Sequence, residues 1–375
     1  MDTRKRSLPL TVLLGFSAML AAGCPLARKS ATGAGSSSAG SPVSSPGGAT
    51  PDPLPANAGV VTTLAGGTTG FADGTGAAAE FNHPFGVAVD GSGSVYVADV
   101  GNDRIREISP AGVVTTLAGS TMGFVDGTGA AAEFNHPYGV AVDSSGVVYV
   151  ADTGNDRIRK ISPAGVVTTL AGGAEGFADG TGSAAEFDHP YGVAVDANGE
   201  VYVADTSNNR IRKISPTGVV STLAGSTLGF ADGTGSAAQF WLPRSIAVDS
   251  GGNLYVGDCY NNRIRRVSPA GAVTTLAGEY PGYADGMGDF AAFDHPLGVA
   301  IDGEGNLFVA DSENNTVRIV TPDGNVTTLA GDGTAGLVDG TGKTAEFAGP
   351  SGVAVGASES VYVSDFYGDR IRKIQ

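Results

Sequence analysis

Pro137-Tyr138-Gly139-Val140-Ala141-Val142-Asp143, Val148-Tyr149-Val150-Ala151-Asp152, Arg157-Ile158-Arg159-Lys160-Ile161 and Val166-Val167-Thr168-Thr169-Leu170-Ala171-Gly172 follow one another along the chain. Val, Ile, Tyr and Thr dominate the four runs, and Gly, Asn, Asp or Ser-Pro separate them. That pattern reads as four short antiparallel strands. The unit then recurs. Its marker proline stands at Pro84, Pro137, Pro190, Pro243, Pro296 and Pro350, 53 residues apart and 54 at the last step. Such a period signals an array in which each unit buries its faces against its neighbours.

Four strands repeated six times predict an all-β fold, a six-bladed β-propeller of four-stranded antiparallel blades. Before the first complete unit the chain carries an unpaired Val60-Val61-Thr62-Thr63-Leu64-Ala65-Gly66, and the last unit stops at Arg370-Ile371-Arg372-Lys373-Ile374-Gln375 without its fourth run. The early segment is therefore expected to complete the last blade as its outer strand. Pairing the two would remove an open sheet edge from the ring.

The Val-Ala-Asp-x-x-Asn-x-Arg-Ile core, preceded by Pro-x-Gly-Val-Ala-Val-Asp, resembles NHL repeats in all six units, from Val60 to Gln375. Departures are Gly356 in place of Asp, Thr316 in place of Arg, and Gly368-Asp369 in place of the Asn pair. The resemblance implies a six-bladed propeller. Members of that family range from protein- and RNA-binding domains to extracellular sensors and a few metal-dependent lyases, so the fold does not choose the function.

Composition narrows the choice. The chain has a formal net charge of −16 and is 41% hydrophobic, with 59 glycines, which describes a turn-rich globular domain. Residues 1–59 contain five basic and two acidic side chains, so 17 basic and 36 acidic ones remain beyond them. All but two of those basic residues, Arg244 and Lys343, fall in the strand that repeats Arg-Ile-Arg-Lys-Ile. A nucleic-acid partner is excluded, because phosphate binding needs clustered Lys and Arg.

The N-terminus reads as an address. Arg4, Lys5 and Arg6 precede an apolar stretch from Leu8 to Ala22 that is short for a membrane span. It ends in Leu20-Ala21-Ala22-Gly23-Cys24, which resembles the lipobox of bacterial lipoproteins, with Ala21 where Leu is usual. The resemblance implies a signal peptide over 1–23, a lipid on Cys24, a Ser/Gly/Pro linker through residue 59, and a propeller from 60 to 375. Such a linker would hold the domain about 30–35 Å from its anchor. The expected location is the bacterial cell envelope, on the outer rather than the inner membrane because Pro25 replaces Asp. The alternative is a plain secreted protein. The other cysteine is Cys259, so a lipid on Cys24 leaves no disulfide.

Most repeated polar residues suit scaffolding. Asp99, Asp152, Asp205, Asp258, Asp311 and Asp365 are followed five residues later by Arg104, Arg157, Arg210, Arg263 and Arg370, an ion pair and turn expected to fix each hairpin. Between units lies a loop of the form Gly-Phe-Ala-Asp-Gly-Thr-Gly-x-Ala-Ala-Glu-Phe. Its phenylalanines, Phe81 to Phe347, should plug it onto the blades after one helical turn. Its aspartates, Asp73 to Asp339, allow calcium as an alternative, but without the spaced carboxylates of a calcium loop. His83, His136, His189 and His295 precede the marker proline. Because His83, His189 and His295 fall on alternate blades, they could meet a zinc ion on the axis. That three-histidine site belongs to certain NHL-type lyases.

Positions shared by every unit are explained by the scaffold, so departures from the pattern mark the better binding candidates. They concentrate around the fourth unit: Trp241-Leu242-Pro243-Arg244-Ser245, Cys259-Tyr260, and Glu279-Tyr280-Pro281-Gly282-Tyr283. Trp241, Arg244, Tyr260, Tyr280 and Tyr283 are expected to form one patch on one face, from residue types that dominate interfaces and stack on sugars. The reading is a membrane-tethered, monomeric, non-catalytic scaffold that binds a protein, peptide or glycan and needs no cofactor. Alternatives are a metal-dependent lyase or lactonase using zinc or calcium at the channel mouth, and a structural envelope component. No nucleophile with a companion base stands out.

Overall fold

The computed structural model describes residues 59–356 and 358–375. The expected signal peptide, Cys24 and residues 25–58 of the expected linker lie outside the described residues. From residue 59 onward the chain forms six antiparallel sheets arranged as the blades of a propeller. No helix among the described residues is long and apolar enough to cross a membrane.

The second blade shows the plan. Its inner strand is Pro137–Val142, followed by Val148–Asp152, Arg157–Ile161 and Val166–Ala171. Two features of the sequence make these strands. Val, Ile and Tyr fit a pleat buried on both faces, and Asp-x-x-Gly or Ser-Pro-x-Gly closes each hairpin. Asp143 illustrates the closure, since its carboxylate accepts the backbone N–H groups of Ser145 and Val147 at 2.9 and 3.0 Å.

Each blade has five strands rather than the four expected. The additional one is a two-residue strand from the inter-blade loop, such as Gly127–Thr128, which pairs outside Val166–Ala171. Repetition of hydrophobic runs could not reveal it, because Gly-Thr has no strand signature of its own. The helical turn also differs: a short 3₁₀ turn covers Gly129–Ala131 and takes in only the first residue of the Ala131-Ala132-Glu133-Phe134 run expected to form it. In the sixth blade Val60–Gly66 lies between Arg370–Ile374 and Gly340–Thr341, so it is the fourth of five strands and not the outermost. Val60 and Gln375 exchange both backbone hydrogen bonds at 3.0 Å.

The core is divided among the blade interfaces. Ala88, Tyr96 and Ile105 of the first blade pack with Phe134, Val140 and Val150 of the second. Ala354, Tyr362 and Ile371 of the sixth pack in the same manner with Phe81, Val87 and Val97 of the first. Toward the axis, neighbouring inner strands nearly touch. A Cβ on Gly139 would lie 2.1 Å from the Tyr191 carbonyl, and one on Gly352 would lie 2.2 Å from the Phe85 carbonyl. Only glycine permits that approach.

The repeated ion pair is not the one expected. Asp152 binds Arg159 rather than Arg157, at 2.7 Å with both side chains fully buried. On a pleated ladder the diagonal residue shares the face and a long side chain reaches it. Arg159 also binds Asp126 of the inter-blade loop at 2.7 Å and the carbonyls of Glu133 and Val125 at 3.1 and 3.0 Å. The pair therefore ties a loop to its blade as well as fixing a hairpin. Arg157 instead lies over the Phe124 ring, 3.8 Å from its centroid. This explains how the fifth blade tolerates Thr316: Arg318 still joins Asp311 and Asp285 at 2.6 and 2.7 Å. It also occupies the loop carboxylates that the calcium alternative would have used.

A candidate ligand site at the channel mouth

The turn entering each inner strand builds one face of the propeller. Its residue before the marker proline adopts a left-handed backbone: His83, His136, His189, Leu242, His295 and Gly349 have φ between 47° and 67°. A carboxylate or amide from the preceding blade accepts each backbone N–H. His136 donates to Asp103 at 2.8 Å, Leu242 to Asn209 at 2.9 Å, and His83 to Asp369 at 2.8 Å across the join between first and last blades. These bonds staple blade to blade in a full circle.

That geometry decides the histidines. The Nδ1 atoms of His83, His189 and His295 each lie 2.7 Å from the side-chain oxygen of the preceding Asn or Asp. The three rings are not gathered at one point. Among the described residues, the close group of three metal-capable donors is Asp156, Asp188 and His189. Two of its members are already committed to the staple: Asp156 accepts the His189 backbone N–H at 2.8 Å. Among the described residues, His83, His189 and His295 do not form a close group of donors, and each shapes the turn in which it stands.

The residue after each marker proline lines the channel mouth. There five residue types occur in six blades, with Phe85, Tyr138, Tyr191, Arg244, Leu297 and Ser351. The Tyr138 and Tyr191 rings meet at 4.3 Å between centroids, and Phe85 stands edge-on to Tyr138 at 4.9 Å. Burial, reinforced by Tyr191, pushes the Tyr138 phenol well above its ordinary range, so it remains a neutral hydrogen-bonding group. Arg244 lies over the Tyr191 ring, 4.8 Å from its centroid. The cavity bounded by these residues encloses about 390 Å³, open solvent included.

Of the five expected patch residues, Arg244 lines this cavity, and Trp241 and Tyr260 pair on neighbouring turns. Trp241 is 38% exposed and its ring is 5.6 Å from that of Tyr260, which stands edge-on to His295 at 4.9 Å. Tyr260 is half-buried and is one of the groups electrostatically coupled to Arg244. Tyr280 and Tyr283 belong elsewhere. Tyr283 occupies the loop position of Phe71, Phe124, Phe177 and Phe230; its ring lies beneath Arg318 at 4.9 Å and its hydroxyl meets that of Thr328 at 2.9 Å. Tyr280, 68% exposed, is on the same loop. Both precede the short strand at the outer edge of blade five, whereas Trp241 precedes an inner strand. Proximity in sequence did not mean proximity in space.

The substitutions around blade four compensate one another. Ser245 takes the place of an inner-strand glycine, and Gly257 takes the place of the alanine found opposite as Ala98, Ala151, Ala204 and Ala310. A Cβ on Gly257 would come within 2.5 Å of the Ser245 hydroxyl. Buried Cys259 lies beneath Tyr260; burial pushes its thiol up to about 12, so it is protonated and unreactive. Phe85, Tyr138, Tyr191 and the Phe366–Tyr367 pair were missed from sequence. The available signal was a variable residue inside the constant Pro-x-Gly-Val-Ala frame.

Comparisons with known proteins agree with this architecture. Residues 81–108, 134–161, 187–214, 240–267 and 293–320 match the NHL repeat. The chain is similar to the Bos taurus NHL repeat-containing protein 2, 31% identical over 75% of this chain and 44% of that one; it thus spans under half of that relative's length. Among solved structures, a Bacteroides thetaiotaomicron protein of unknown function superposes with a TM-score of 0.67 at 22% identity, covering 84% of this chain and 75% of that one. An auxiliary nutrient binding protein from the same organism gives 0.65 at 19% identity, covering 84% and 76%. The chain carries five matched NHL repeats in a six-bladed β-propeller.

Proposed function

We propose that this protein is a non-catalytic binding propeller, exported and tethered by a lipid on Cys24, that takes a peptide, protein or glycan ligand at the channel mouth of blades three to five. The observation that carries the reading is the grouping of Trp241, Tyr260 and Arg244 beside the Tyr138–Tyr191 pair, at the place where the repeats depart from their pattern. Aromatic rings with one open face bind sugars and apolar side chains, and Trp, Tyr and Arg carry most of the energy at interfaces. The paired change at Ser245 and Gly257 supports a specialised blade over random drift. The fold likeness to a nutrient binding protein is in keeping with ligand capture. Monomeric action fits a closed ring whose blades bury one another.

A glycan, peptide and protein binding screen on the full chain tests the reading. Trp241→Ala combined with Tyr260→Ala should cost any captured ligand at least about tenfold in affinity, equal to 1.4 kcal/mol, while the melting temperature stays close to wild type. Tyr280→Ala should leave binding unchanged. If the double variant binds as well as wild type, the site is wrong.

A further inference from the structure

The cavity at the axis holds one ionised side chain. Arg244 lines it, and no carboxylate does. Elsewhere each buried arginine is held between two carboxylates: Arg212, for example, binds Asp205 and Asp179 at 2.6 and 2.8 Å. Arg244 has no carboxylate partner among the described residues, whereas its unpartnered Nε is a feature it shares with the six ion-paired arginines. The next residue's hydroxyl, on Ser245, is also buried and unpartnered, but it lies against Gly257 of the paired strand. Buried donors left without acceptors are costly in the empty state, by about 1–3 kcal/mol each. What sets this blade apart is a guanidinium without a carboxylate, where the other blades carry neutral residues at the same place.

We propose that the channel mouth binds a single carboxylate, carried on an aromatic or sugar ring, with the Arg244 guanidinium as its donor. This rests on the binding reading given above and names the chemistry of the ligand. A guanidinium matches a carboxylate with two parallel hydrogen bonds, which gives direction as well as charge. The flanking rings of Tyr138, Tyr191 and Phe85 supply an aromatic wall for the remainder of the ligand. The net charge of −16 repels a polyanion at long range but opposes a lone carboxylate weakly. The chemistry therefore selects a monoacid over an acidic polymer.

The test uses the full-length protein and its single tryptophan, Trp241, which packs on Tyr260 beside the cavity. Benzoate and glucuronate are titrated separately, with benzamide and glucose as neutral counterparts, and calorimetry provides a second readout. At least one acid should bind saturably, with its affinity falling as salt rises, and should exceed its neutral counterpart about tenfold. Whichever acid binds identifies the ring as aromatic or sugar. Arg244→Gln should abolish that preference, and Arg244→Lys should retain only part of it, since it keeps the charge without the fork. Should Arg244→Gln fail to fold, the lysine variant and the neutral counterparts still decide. The proposal is overturned if neither acid binds, if the neutral compounds bind equally, or if Arg244→Gln binds the acid unchanged. Neutral glycans or peptides that bind through Trp241 while both acids fail would remove this inference and leave the proposed function standing.

Discussion

At the scale of single residues, arginines two positions apart have unrelated roles. Arg159 is fully buried and holds Asp152, Asp126 and two backbone carbonyls. Arg157 is half-buried, stacks on Phe124 and donates to the Asn155 carbonyl at 2.7 Å. Removing a partner from a buried pair leaves an uncompensated charge, which costs about 3–5 kcal/mol. A partly exposed cation over a ring contributes about 0.5–1 kcal/mol. Arg159→Ala should therefore lower the denaturation midpoint severely, and Arg157→Ala should shift it slightly. Equal shifts in urea unfolding would show that the buried network is not the fastening of the blade. Both arginines stand in one Arg-Ile-Arg run, and spacing from Asp152 favoured the wrong one. The diagonal of the ladder and the loop aspartate behind it decide the partner.

At the scale of elements, Val60–Gly66 is the strand with the longest reach. It pairs with Arg370–Ile374 on one side and Gly340–Thr341 on the other. Val61 and Ala65 are buried, and the Thr63 N–H donates to Asp339 at 3.0 Å. Deleting residues 60–66 would uncover the apolar faces of Val61 and Ala65's neighbours, strip Arg370–Ile374 of its ladder and leave Asp339 short of a partner. Several kcal/mol should be lost, on the scale of a buried strand and a large part of a domain's net stability. Calorimetric melting of the deletion against the full chain measures it; matching melting temperatures would mean that the strand contributes nothing to ring stability. The strand itself was legible, because Val-Val-Thr-Thr-Leu-Ala-Gly repeats the outer run of every blade. Its flanking two-residue partner was not, because Gly-Thr in a glycine-rich loop carries no apolar period.

At the scale of the whole molecule, the propeller and its address are separate matters. The proposed lipid on Cys24 predicts that the full chain expressed in a bacterial host will incorporate labelled fatty acid and fractionate with membranes. Cys24→Ala should release it to the soluble fraction with the propeller's melting temperature unchanged. Label retained by Cys24→Ala would rule out that attachment site. For the folded domain, repetition made the sequence unusually informative about architecture. Six copies of one strand pattern demand that each blade cover its neighbours, so blade number and strand polarity follow from the period alone. The site was legible only in part. Departures from the repeat located blade four, yet they could not separate Trp241, Tyr260 and Arg244, which turns bring to the axis, from Tyr280 and Tyr283, which the inter-blade loop carries to the outer edge. The histidines resembled a metal set because they share a position in the repeat. Their left-handed turns and neighbouring Asn or Asp oxygens, known only in three dimensions, make them structural. Sequence by itself determined which segments are strands and how many blades close the ring, because those depend on local pattern and count. Tertiary structure alone decided which arginine is buried, which aromatics share a surface and which cation stands unpaired, because those depend on distances between residues far apart in the chain.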